Sequence, residues 1–214
     1  MGKRAAAALL TACLCLLLCG CGGEKYPTMR CVDISDLSLS EASNSVMSLR
    51  YPDELWYGAD DTDPLIIYYR STMGTDQVIN INAQKLSECR TAPTEQDMKD
   101  IVDGVQEMYV SIDIKDAELR DLNGSTVIYM EGTFSFTDDV IDLVLESGKW
   151  TQADLDAMGG REVLLALPPT EQMFLYLVKD GWLYLYTGTY FNEQQHDMVL
   201  DTITVLAQTT ESIG

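Results

Sequence analysis

Apolar and polar residues alternate through Val78-Ile79-Asn80-Ile81-Asn82-Ala83, which places Ile79, Ile81 and Ala83 on one face of a half-buried strand. Similar alternation, or a short β-rich run, recurs at 46–51, 65–69, 119–136, 173–178 and 183–187. Pro52 is expected to close the first of these, since proline cannot donate to a ladder. Asn123-Gly124 and Asp180-Gly181 each lie between two such runs, and both pairs tolerate the positive φ of a tight turn. Two antiparallel hairpins are therefore expected.

A 3.6-residue period takes over where Met98, Ile101, Val102, Val105 and Met108 recur, so a helix is predicted from a Thr94 cap to about Tyr109. Its other face, with Asp100, Asp103, Gln106 and Glu107, is solvated. Residues 138–170 read as an insertion between the hairpins. Asp138 and Asp139 suit a helix start, Thr151 caps a short turn, and an apolar stretch stops at Pro168-Pro169. A closing helix is predicted from Asn192 to about Leu206, with Val199, Ile203 and Leu206 inward, and a frayed tail at 207–214.

The first residues follow a different pattern. Lys3 and Arg4 precede an apolar run, residues 5–18, that falls short of the ~20 residues a membrane-spanning helix needs. The run ends in Leu18-Cys19-Gly20-Cys21. This resembles the lipobox of bacterial lipoproteins, with a leucine three residues before a cysteine and a small residue just before it. The resemblance implies that residues 1–20 are a signal peptide and that Cys21 carries the lipid. Two acyl chains, at about 0.8 kcal/mol per buried methylene, would hold the chain at the extracytoplasmic face of the cell membrane. An ordinary secretory signal, which would free the domain into the medium, is the competing reading.

Composition narrows the rest. Thirty-four acidic residues against 14 basic ones give a formal net charge of −20. The leader holds Lys3 and Arg4 and no acid, so the remainder is more acidic still. Such a body cannot track a phosphate backbone, which sets nucleic acid aside as a partner. Downstream of Cys21, only Cys31 and Cys89 remain. In an oxidising compartment they read either as a disulfide or as two buried apolar thiols.

Catalytic chemistry finds little support. The single histidine, His196, has no serine elbow to serve and reads as a surface residue of the last helix. Asp60-Asp61-Thr62-Asp63 groups three carboxylates but lacks the spacing and central glycine of an EF-hand, so it reads as a solvated loop tip. No cofactor or metal site is expected. The aromatic residues Trp56, Tyr57, Tyr68 and Tyr69 form a candidate contact patch, because such side chains bury area at low entropic cost. The alternative is that half of them face the core.

The element order completes the reading. A strand ends in Tyr51-Pro52 with Trp56 soon after, followed by a meander and a capped helix. Hairpins then turn at Leu122-Asn123-Gly124 and Lys179-Asp180-Gly181 before a terminal helix. Over residues 46–206 this resembles the PsbP-like family. That implies an α+β fold, a central antiparallel sheet flanked by helices in an α/β/α sandwich, and a role in binding other proteins rather than catalysis. The expected layout is a leader (1–20), a tether (21–40), one domain (41–206) carrying the insertion, and a flexible tail. The expected role is a lipid-anchored, non-catalytic binding or accessory module with an envelope protein as partner. The alternatives are an envelope hydrolase using paired carboxylates, or a solute- or ion-binding lipoprotein.

Overall fold

Pro52 is the last residue of its strand, which closes where the proline is expected to close it. β1 (Leu39–Ser43) turns back as β2 (Met47–Pro52), pairing Leu39 with Pro52 and Ser43 with Ser48. The proline sits at the end of the ladder, where no further donor is needed. The computed structural model describes residues 26–53, 56–60, 65–70, 76–108, 112–148 and 150–213, excepting the side chains of 56–60, 65–70, 76–78 and 107–108.

A second, larger sheet follows from two meanders. β3 (Trp56–Asp60), β4 (Leu65–Arg70) and β5 (Asp76–Lys85) form the first. After α1 (Glu95–Met108), β6 (Ile112–Leu122) and β7 (Ser125–Phe134) begin the second. Three short helices intervene: α2 (Asp138–Glu146), α3 (Gln152–Ala157) and α4 (Arg161–Leu165). Then β8 (Thr170–Lys179) and β9 (Trp182–Tyr190) complete the meander, and α5 (Glu193–Thr209) and β10 (Glu211–Ser212) follow. The strand order is β3-β4-β5-β9-β8-β7-β6, antiparallel throughout, so the meanders meet along a single β5–β9 seam. The turns form where the dipeptides predict, with φ of 51° and 85° at Asn123-Gly124 and 53° and 77° at Asp180-Gly181.

Register sorts the side chains into two layers. Ile81 lies opposite Tyr186, Tyr186 opposite Leu175, and Leu175 opposite Tyr129. This row is buried against Ile203 and Leu206 of α5. Each such fully buried side chain contributes roughly 1.5–3 kcal/mol. The opposite face buries Ile128, Met130, Phe174 and Tyr176 beneath Val105 and Ile101 of α1. The protein is thus α+β, with a central antiparallel sheet flanked by helices.

Capping explains where the helices start. Thr94 and Asp97 exchange bonds at the head of α1, the Thr94 amide donating to Asp97 Oδ2 at 2.7 Å and the Asp97 amide to Thr94 Oγ1 at 3.2 Å. Thr151 and Asp154 form the same box at α3, and Asn192 accepts the Gln195 amide at α5. The helices between β7 and β8 bury Ile141, Leu155 and Leu164 in a small core of their own. Arg161 bridges back to Asp138 at 2.6 Å and to Asp142.

Both expected flexible ends need correction. The tether stops short of residue 40: Thr28 bridges Asp121, Met29 is 2% exposed, and Gln208 Nε2 donates to Val32 O at 3.3 Å. At the other end, α5 runs to Thr209 and β10 pairs with β2. Thr210 is fully buried, accepting from Lys179 Nζ on its carbonyl at 2.7 Å and from the Tyr186 hydroxyl on Oγ1 at 2.6 Å. Neither segment carries a period of its own. Both are ordered by partners far away in sequence.

Candidate functional site

α1 packs on β6 and leaves the β5 and β9 part of the same face without a helix among the described residues. On that uncovered strip Asn80 lies opposite Thr187, Asn82 opposite Leu185, and Gln84 opposite Leu183. Their neighbours Ile79 and Ile81 point the other way into the core, so the alternation seen in the sequence makes β5 polar on this side. The result is a trough along the sheet. One part, of about 350 Å³, runs from Asn80 and Thr187 past Phe174 to Ile112 and Phe134. A second, of about 280 Å³, lies between Gln84 and Leu183 on one side and Ile101 and Gly104 on the other. Asn82, Val105, Tyr176 and Leu185 line both, which makes them one continuous groove. Its described lining carries amides, hydroxyls and apolar groups. Such a lining suits holding a ligand by hydrogen bonds and apolar contact, and the one titratable group in it is the Tyr176 hydroxyl.

The titratable groups gather on the opposite face instead. Glu131 stands on the inward side of β7, beyond Val127 and Tyr129, where a third apolar residue would continue the pattern. It accepts from the Tyr129 hydroxyl and from that of Tyr190 (3.2 Å), and His196 Nε2 lies 3.0 Å away. His196 comes from the first turn of α5, rests edge-on to Tyr190 (4.9 Å between ring centres), and reaches Asp197 at 3.3 Å. Arg120 stacks 4.0 Å over the Tyr129 ring and pairs with Glu118. The surface histidine expected from the sequence is therefore half-buried and joined to a carboxylate. The pairing spans 65 residues and left one local trace, a charged residue on a buried strand face.

The electrostatics of this cluster point to holding rather than chemistry. Burial tends to raise the Glu131 carboxyl, but the bonds from Tyr129 and His196 outweigh it and keep the group below its ordinary 4.5. Burial tends to lower His196, and Glu131 and Asp197 outweigh that, lifting it above 6.5. Both tyrosine hydroxyls are pushed up, first by burial and then by Glu131. A general acid of the paired-carboxylate kind needs a raised carboxyl, and Glu131 moves the other way. The cluster ties the start of α5 to β7.

The residues singled out in the sequence fare differently. Cys21 lies outside the described residues. Cys31 and Cys89 are free and exposed, so the disulfide considered for them is not formed. Cys31 lines a hollow of about 530 Å³ with Leu177 and Ala207, on the α5 side of the sheet. Cys89 belongs to the link into α1, whose neighbours Leu86 and Arg90 line a hollow with Ile128 on the other side. Neither is a buried apolar thiol. Trp56 and Tyr57 are placed in β3 and Tyr68 and Tyr69 in β4, at one edge of the large sheet, while their side chains lie outside what is described. Asp60 ends β3, and Asp61 to Asp63 also lie outside. No cluster of three or more His, Cys, Asp or Glu side chains suited to a metal occurs among the described residues. No described helix is long and apolar enough to cross a membrane.

No family model matches the chain. No curated protein matches it either. The structure is similar to the solution structure of cyanobacterial PsbP (CyanoP) from Synechocystis sp. PCC 6803, at 14% sequence identity and a TM-score of 0.46, over 86% of this chain and 97% of that one.

Proposed function

We propose that the protein is a lipid-anchored, extracytoplasmic binding or accessory module, a PsbP-like domain that acts through contacts at the cell envelope and not through catalysis. The observation that carries the binding reading is the trough over β5 and β9, an open groove lined by amide, hydroxyl and apolar side chains with no carboxylate, histidine, lysine or cysteine among its described residues. The anchor rests on Leu18, Gly20 and Cys21, and its partners would be the membrane, through the lipid, and an envelope protein. A domain this acidic is repelled by anionic headgroups and would stand off the bilayer on its tether.

Mass spectrometry of the membrane-fraction protein, wild type beside Cys21→Ala, tests the anchor. The expected result is a mature N-terminus at Cys21 carrying a diacylglycerol mass, lost in the variant. Unlipidated protein free in the medium would overturn the anchored reading.

A further inference from the structure

The trough has two unlike walls. On the β5 side, Asn80, Asn82 and Gln84 follow at every second residue, a spacing of about 7 Å along an antiparallel strand. Each amide offers two donors and an acceptor. The main chain of an extended peptide presents its own N–H and C=O groups with the same two-residue repeat. On the α1 side, Ile101 and Val105 stand one turn apart. Between them Gly104 leaves room, with nothing within 4 Å of the place a Cβ would occupy. Asp100 and Asp103 are exposed on the same helix, outside the trough's own lining, with Asp100 accepting from Gln96 Nε2 at 2.7 Å, and the one lysine of that helix is Lys99. The chain as a whole carries −20.

We propose that this trough binds an extended peptide segment of a partner protein, alternately apolar and basic. Its main chain lies along the amide row, its apolar side chains pack on Ile101, Val105 and Leu185, and its alternate cations point out of the groove toward the acidic surface, where Asp100 and Asp103 are exposed. The proposal rests on the binding-module reading above and gives that site its ligand class. Main-chain bonds would supply affinity and the alternate side chains selectivity.

The test is fluorescence anisotropy with the full chain, solubilised in detergent, and three labelled probes. These are an octapeptide of alternating valine and lysine, its valine–glutamate counterpart, and a neutral chitooligosaccharide. The valine–lysine peptide is expected to bind at least about tenfold more tightly than the valine–glutamate one. Gly104→Trp, which fills the groove, should weaken it by about tenfold or more, and Gly104→Ala should leave it unchanged. Asn82→Ala and Gln84→Ala sit at exposed strand positions and should each weaken it severalfold with no change in melting temperature. Equal binding of the two peptides, or binding indifferent to Gly104→Trp, overturns the proposal. If only the oligosaccharide binds and Gly104→Trp abolishes it, the peptide is the wrong class while the binding module stands. If no probe binds, the proposal fails and the trough no longer supports the binding reading.

Discussion

His196 and Glu131 shift in opposite directions, and each shift is a statement about stability. A histidine raised in the folded state adds stability that is fully present below its ordinary value of 6.5 and lost as pH climbs through the folded value. A carboxylate lowered in the folded state adds stability that is present above 4.5 and lost as pH falls through its folded value. The pair therefore helps most between those two limits. Both side chains are about one-quarter exposed, so screening keeps the contribution near 1 kcal/mol. His196→Ala is expected to lower the unfolding free energy, read from urea titration, by that amount at a pH near 5.5, and by clearly less near pH 8.5. An equal loss at both would mean that the imidazole acts by packing on Tyr190 alone.

At the level of elements, β9 and α5 approach closely at Gly188. A Cβ on Gly188 would overlap Val199 Cγ1 and crowd Ile203 Cδ1. Gly188→Ala is thus expected to cost about 1–3 kcal/mol, read as a fall in melting temperature. An unchanged melting temperature would show that α5 can move outward freely. The sequence announces elements whose causes are local: Asn123-Gly124 at a turn, Thr94 with Asp97 at a helix start, Ile79 and Ile81 in alternation. It is silent where the cause is distant. β10 is two residues long and exists because β2 lies beside it, and Leu39 to Ser43 form a strand because β2 pairs with them as far as Pro52. The polar face of β5 is legible; that it stays open depends on where α1 lands. Glu131 and His196 meet only once α5 has folded back against β7.

For the whole molecule, the layout separates a continuous two-layered core from the helical unit 138–165. That unit has a core of three buried side chains and exposes Leu143 and Val163 to about half their surface. It is expected to open on its own, with amides exchanging on the order of a hundredfold faster than those of β7, β8 and β9. Uniform protection in a hydrogen-exchange experiment would show instead that it unfolds only with the sheet. The β5–β9 seam has a kinetic consequence of another kind. Each meander needs only neighbours in sequence to form, but the seam brings Ile79 to Gly188 and Ile81 to Tyr186 across about a hundred residues of chain. Closing so long a loop costs entropy before any contact repays it. Two half-sheets would then form early and wait, each with its seam strand unpaired on one side, until β9 and β5 zip together. The interval in which those edges lie open is when the chain is most exposed to pairing with a neighbour.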